Sequence, residues 1–213
     1  MHFLSQLLEK YIDDHTEPEP GLLQELTRET HLKVVQPRMI TGHFQGRVLS
    51  LLSKIIAPKA ILEIGTYTGY SAICLAEGLQ ENGVLHTVDV NEELYPIQRD
   101  YFDRSGFGNQ IVQHIGDALQ VVPEMDVTFD LIFIDANKKN YEGYFETVIK
   151  KTKSGSVILS DNVLWSGKVI EPLKKSDKTT EALLNYNAKL KNDPRVETVI
   201  LPIRDGLTLS RVV

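Results

Sequence analysis

Asp135, Asp161 and Asn162 carry oxygen donors at the ends of two apolar runs, Phe129-Asp-Leu-Ile-Phe-Ile-Asp135 and Ser156-Val-Ile-Leu-Ser-Asp161. Donors of that kind select a hard divalent ion, Mg2+ first and Mn2+ or Ca2+ after it, over zinc. The plainer alternative is that Asp161 and Asn162 only open a turn, where both residue types are common. Lys138 follows Asp135 by three residues in Asp-Ala-Asn-Lys-Lys-Asn-Tyr141, within reach of any oxygen bound beside Asp135. A lysine so placed is a candidate base, with a solvated loop lysine as the alternative. The chemistry implied is ionisation of a phenol or catechol hydroxyl, which at a pKa of about 10 is protonated at neutral pH unless a metal and a base assist.

A second constellation lies upstream. Leu62-Glu-Ile-Gly-Thr-Tyr-Thr-Gly-Tyr-Ser71 has the form of a strand entering a helix through a glycine turn, a cradle for a nucleotide-like ligand. Gly65 permits the turn and Gly69 the approach of the helix, while Thr68 or Ser71 is expected to cap the first turn and leave the loop amides facing the ligand. A dinucleotide loop needs a further glycine to admit pyrophosphate, yet Tyr67 occupies that position. S-adenosylmethionine, which has no pyrophosphate, fits better, with Glu63 accepting from its ammonium group and Asp89 from its ribose hydroxyls. Asp117 either caps a short helix or accepts from the adenine amino group. Glu63 and Asp89 could instead be helix-capping carboxylates.

These residues require a particular scaffold. From Ala60 onward the pattern predicts strands over 60–64, 84–89, 110–115, 129–135 and 156–161. Between them fall helices over 70–80, 92–105 and 140–151 and a short one after Gly116, which gives a mostly parallel sheet covered on both faces. The C-terminal runs 196–203 and 207–213 are joined only by Arg204-Asp-Gly206, so they form an antiparallel hairpin. Before the core, helices are expected over the first dozen residues, with Phe3, Leu4, Leu7, Leu8, Tyr11 and Ile12 on one face, and over 21–31. A third follows the loop Gln36-Pro-Arg-Met-Ile-Thr-Gly42. A parallel sheet closed by one reversed strand resembles the class I methyltransferases.

Composition narrows the field further. A length of 213 residues suits one α/β domain, 1–213, in which helices over 1–55 cap a Rossmann-like core over 60–213. A formal net charge of -6 disfavours a broad nucleic-acid footprint and favours a small-molecule partner. Cys74 is the lone cysteine and lies in the run Ala72-Ile-Cys-Leu-Ala76 as packing, so no disulfide forms within the chain. No apolar run reaches the roughly 18 residues of a membrane span, and the first residues lack the pattern of a signal peptide, which together predict a cytoplasmic protein. The six histidines show no metal-binding spacing.

With these motifs assembled, the chain resembles the cation-dependent O-methyltransferases of the catechol and caffeoyl-CoA type over about residues 30–213. Besides the stretches quoted, Asp161-Asn-Val-Leu-Trp-Ser-Gly167 and Leu201-Pro-Ile-Arg-Asp-Gly-Leu-Thr-Leu209 carry the resemblance. It implies a seven-stranded sheet with an antiparallel last strand, S-adenosylmethionine and Mg2+ as cofactors, and a homodimer. It places metal ligands at Asp135, Asp161 and Asn162 and the base at Lys138. Cofactor contacts fall on Met39, Thr41, Glu63, Gly65, Ser71, Asp89 and Ala118, with the neighbouring Thr66, Tyr67, Asp117 and Asp135 added from the loop reading. The substrate is assigned to Trp165 and Ser166, Trp165 either stacking on a planar acceptor or anchoring its own loop. The chain departs from the family at Val199, where the catechol enzymes' substrate-clamping glutamate aligns, and at Asn137, where the plant group commonly has an acid.

Residues 163–178 read as a long loop beside the metal, and its Lys168, Lys174, Lys175 and Lys178 either meet an anionic group such as a CoA phosphate or are solvated. The leading function is methylation of an aromatic vicinal hydroxyl. Alternatives are methylation of a hydroxyuridine in tRNA, a nucleotide-binding oxidoreductase, and a binding protein without catalysis.

Overall fold

The computed structural model describes residues 5–213, so Phe3 and Leu4 of the expected first helix lie outside it. Helix α1 (Gln6–Asp14) starts at Ser5, whose hydroxyl accepts from Leu8 N–H. Helices α2 (Gly21–Lys33) and α3 (His43–Ile56) follow, and the chain then enters the sheet at β1 (Ala60–Ile64). Six further strands are β2 (Val84–Asp89), β3 (Ile111–Ile115), β4 (Phe129–Ile134), β5 (Thr152–Ser160), β6 (Val196–Leu201) and β7 (Leu207–Val212). They stand in the order β3-β2-β1-β4-β5-β7-β6. Only β7 runs against its neighbours: β1 to β5 pair in parallel, whereas β7 is antiparallel to both β5 and β6. The expected seven-stranded sheet with a reversed last strand is the one observed.

The sheet is buried on both faces because its central strands β1 and β4 are apolar at all but one position each, Glu63 and Asp130. In β4 alternate residues point to opposite sides, Ile132 and Ile134 into one core and Leu131 and Phe133 into the other. Tyr141, Phe145 and Val148 of α7 (Tyr141–Val148) and Leu183, Tyr186 and Leu190 of α8 (Lys178–Asn192) fill the first core. The second takes Leu23 and Leu26 of α2, Leu49 of α3, and residues of α4 (Tyr70–Ala76) and α5 (Tyr95–Arg104).

The sequence pattern did not foresee α8. Its polar composition hides an apolar stripe of Leu183, Tyr186 and Leu190 at helical spacing, and Asp177 caps it by accepting from Thr180 N–H at 3.0 Å. Consequently the loop after β5 ends at Asp177, and Lys178 belongs to a helix. Helix α4 stops at Ala76, short of the expected 80, and its N-cap is Gly69 with no side-chain cap bond. The expectation that Thr68 or Ser71 caps it is therefore corrected: Thr68 instead accepts from Thr30 across the core at 3.1 Å.

Parallel pairing of β1, β2, β4 and β5 brings their C-terminal ends to one edge. Because β1 pairs with β2 on one side and β4 on the other, the chain reverses its direction of sheet growth at β1/β4, the position where open α/β sheets hold ligands.

Candidate active site

Along that edge opens a cleft of about 1690 Å³. Its wall contains Met39, Thr41, Gly65, Thr66, Tyr67, Ser71, Asp89, Asp117, Ala118, Asp135, Lys138, Asp161, Asn162, Trp165 and Ser166. Of the site residues expected from the sequence, only Glu63 stands behind the wall, fully buried on β1.

The register of β4 and β5 places the two acids. Ile134 pairs with Ser160, so Asp135 and Asp161 are the next residues on neighbouring strands, and Asp161 N–H donates to Ile134 C=O at 3.0 Å. Tyr141, wholly buried at the start of α7, donates its hydroxyl to Ile134 C=O at 3.2 Å and Asp161 C=O at 2.9 Å, locking the strand ends together. Asn162 then adopts a left-handed conformation, φ 57°, and turns the chain beside the acids.

Lys138 Nζ lies 2.6 Å from Asp135 Oδ1 and 5.3 Å from the centre of the Tyr141 ring. Lys139, by contrast, enters the turn through its backbone, its N–H donating to Asn137 Oδ1 at 3.2 Å. Burial and the neighbouring Asp135 charge push the Asp161 carboxyl pKa up, while the Gln45 amide, the Lys138 charge and the Asn162 N–H pull it down. A cation between the two acids would relieve that repulsion.

The glycine loop is held differently from the expectation. Asp89 Oδ2 accepts from both Thr66 and Tyr67 N–H at 2.9 Å, and its Oδ1 accepts from Asn91 N–H at 2.9 Å. The loop amides of Thr66 and Tyr67 thus face Asp89 and are not free for a ligand. Gly65 has φ +100°, and a Cβ there would meet Asp135 C=O at 2.1 Å, so glycine is required where β1 leaves the sheet. Glu63 Oε2 accepts from Thr87 at 2.5 Å, yet Oε1 has no partner among the described residues. Burial raises the Glu63 pKa to about 8, against the neighbouring Ser71 and Thr87 hydroxyls, which lower it. Asp117 caps the short helix α6 (Ala118–Val121), accepting from Leu119 N–H at 2.9 Å, so the first of its two readings is realised in the fold.

On the far wall, Trp165, Ser166 and Gly167 are all left-handed, at φ 46°, 54° and 79°. For the two that are not glycine, Trp165 and Ser166, strain of this kind costs about 1–3 kcal/mol each, and such strain clusters at ligand sites. Trp165 borders the cleft while packing on the first core, so it serves as loop anchor and wall at once. Among the loop lysines only Lys168 borders the cleft, 6.0 Å from the Trp165 ring and 3.8 Å from Asp177.

The β6–β7 turn, expected as a hairpin and as part of the motif 201–209, also ties the Ile40–Thr41 segment and the loop after β5 together. Arg204 Nη1 donates to the carbonyls of Ile40, at 3.2 Å, and Thr41, while Asp205 Oδ1 accepts from Ser166 N–H. The backbone of Asp205 and Gly206 takes up Leu164 and Val163 N–H at 2.9 and 3.1 Å. No local pattern announces such a role, because its partners lie 39 and 163 residues away.

A profile of the O-methyltransferase family matches residues 13–213. The chain belongs to that family. It is 36% identical over 204 residues to a caffeoyl-CoA O-methyltransferase of Petroselinum crispum, covering 91% of this chain and 84% of the relative. A caffeoyl-CoA O-methyltransferase of Arabidopsis thaliana is likewise 36% identical, over 91% of this chain and 78% of that one. Among solved structures, an O-methyltransferase from Bacillus cereus in complex with SAH superposes with a TM-score of 0.90 at 30% identity, covering 97% of each chain. This O-methyltransferase therefore shares both sequence and the complete sheet architecture with the family, as the motifs implied. Among its described residues no helix is long and apolar enough to cross a membrane.

Proposed function

We propose that the cleft binds S-adenosylmethionine beside a divalent cation, Mg2+ by preference, and that the enzyme methylates a hydroxyl of an aromatic acceptor with vicinal hydroxyls, of the catechol or caffeoyl-CoA kind. The observation that carries this reading is the meeting of Asp135, Lys138, Asp161 and Asn162 in the wall of the cleft just beyond the ends of β4 and β5, with Glu63 on the neighbouring strand β1.

The residues fit both groups. Glu63 presents a buried carboxylate oxygen without a partner, which an ammonium would satisfy, and Asp89 stands one strand further along the same edge. Among the described residues no three His, Cys, Asp or Glu side chains cluster as a metal site, so the donor set is two carboxylates and one amide. Oxygen-only donors with room for further oxygens suit Mg2+, which keeps several non-protein ligands.

S-adenosylmethionine supplies the methyl group from its sulfonium, and a cation supplies a positive charge that lowers the pKa of a hydroxyl bound to it. Asp135, Asp161 and Asn162 hold the cation through side-chain oxygens. Lys138 is paired with Asp135 in this structure; it would act as the base after giving its own proton to solvent, its neutral Nζ then taking the hydroxyl proton. Trp165 and Ser166 bound the acceptor, and Met39 and Thr41, in the segment that Arg204 ties down at Ile40 and Thr41, close the cofactor side. Chain dimerisation belongs to the same reading, with the exposed Leu7 and Tyr11 of α1 offered to a second copy; a 24 kDa particle in light scattering would rule the dimer out.

Transfer of labelled methyl from S-adenosylmethionine to a panel of caffeoyl-CoA, free catechols and tRNA tests the acceptor class. Labelling of the catechol-bearing members supports the proposal. Labelling of tRNA alone would replace it.

A further inference from the structure

Glu63 and Thr87 are register partners on β1 and β2, on the sheet face where the pair two residues earlier, Ile61 and Leu85, belongs to the second core. On the other side of Glu63 its partner on β4 is Phe133, wholly buried and apolar. Central strands of a parallel sheet are apolar almost throughout, yet Glu63 is 0%, Thr87 1% and Thr66, just past β1, 3% exposed. Buried polar groups of this kind are hydrogen-bonded as a rule.

Their hydrogen bonds form a chain with one direction. Thr87 Oγ1 donates to Glu63 Oε2 at 2.5 Å, and a hydroxyl has a single proton, so in its 2.5 Å bond with Thr66 Oγ1 it is Thr66 that donates and Thr87 that accepts. The Thr66 N–H is taken in turn by Asp89 Oδ2 at 2.9 Å. The glycine loop, β2 and the carboxylate are thus joined through side chains, and the chain ends at one atom, Glu63 Oε1, which is buried without a partner.

We propose that Thr87 is a positioning residue for the cofactor: its hydroxyl, backed by Thr66, holds Glu63 by Oε2 and keeps Oε1 for the ammonium of S-adenosylmethionine. This inference rests on the cofactor reading above. Thr87 stands behind the cleft wall and acts through Glu63 alone. Removing its hydroxyl leaves Oε2 bare in an apolar layer, which raises the cost of the ionised carboxylate that an ammonium needs.

The test titrates the full chain by calorimetry with S-adenosylhomocysteine and with 5′-methylthioadenosine, which keeps the nucleoside and the sulfur and lacks the ammonium. Thr87→Val keeps the shape and removes the hydroxyl, Thr87→Ser restores it, and Thr66→Val breaks the next link should Thr87→Val fail to fold. The inference predicts S-adenosylhomocysteine binding weakened about tenfold in Thr87→Val, at the lower end of what one hydrogen bond to a charged group contributes. Affinity for 5′-methylthioadenosine stays at the parent's value, and Thr87→Ser binds both as the parent does. In a Glu63→Gln background Thr87→Val has no further effect on S-adenosylhomocysteine. Equal weakening of the two ligands, a weakening that persists without the Glu63 carboxylate, or parent-like binding by folded Thr87→Val overturns the role of Thr87 and leaves the cofactor site standing. A parent that binds neither ligand overturns the cofactor reading and this inference with it.

Discussion

Lys138 and Asp135 form a half-buried ion pair, with Nζ 2.6 Å from Oδ1 and side chains 11% and 22% exposed. The pair sits over Tyr141, whose hydroxyl spans the ends of β4 and β5, so the lysine is attached to the same framework that fixes both acids. That attachment separates Lys138 from the ordinary loop lysine it resembles in sequence. The ion pair holds the lysine side chain against the strand ends.

Removing the amine should abolish proton transfer and spare binding. Lys138→Met is expected to lower kcat about 10²–10⁴-fold, the usual contribution of a general base. Affinity for S-adenosylmethionine, followed by calorimetry, should stay near that of the parent. A variant with parental kcat would return Lys138 to the role of counter-ion.

Gly65 offers a test of how the strand ends are assembled. Its φ of +100° and the Asp135 carbonyl in the space a Cβ would need mean that Gly65→Ala must displace β1 from β4. A cost of roughly 3 kcal/mol or more follows from backbone strain and overpacking together. Chemical denaturation measures it, and a loss below about 1 kcal/mol would show that the junction yields more easily than its geometry implies.

Glu63 gives the cofactor-free enzyme a pH dependence of defined sign. Burial raises its folded pKa to about 8 from the ordinary 4.5. A raised folded pKa means stability that is fully present below 4.5 and is lost as pH rises through about 8, because ionisation is easier in the unfolded chain. Melting temperatures of parent and Glu63→Gln, compared across that range, should therefore diverge, the parent losing more toward alkaline pH. Asp161 contributes in the same direction to both proteins, so it cancels in the comparison. Parallel curves would mean that Glu63 is ionised throughout.

Much of this arrangement could be read from local pattern. Apolar runs that end in acids, such as the one closing at Asp135, and the Gly65/Gly69 turn are short-range signals, and parallel pairing carries them to one edge without further information. What escaped was long-range or masked. Helix α8 buries only three apolar residues among its fifteen, Leu183, Tyr186 and Leu190, and the chain around Tyr186 reads as polar loop. Asp89 engages the backbone of Thr66 and Tyr67, 23 and 22 residues away, a use of its carboxylate that a strand-end acid does not disclose. Arg204 and Asp205 look like turn residues and act as ties between walls, since their partners meet them only once β7 has inserted between β5 and β6.

The central claim is that Asp135, Asp161 and Asn162 hold a cation that the reaction needs. Methyl transfer from S-adenosylmethionine to caffeoyl-CoA should be followed while Mg2+ is titrated into chelator-treated enzyme, with Asp161→Ala alongside. The account predicts no transfer by the chelated parent, recovery that saturates with Mg2+, and little recovery in the variant. Full transfer with chelator present, or a variant that recovers like the parent, would contradict it.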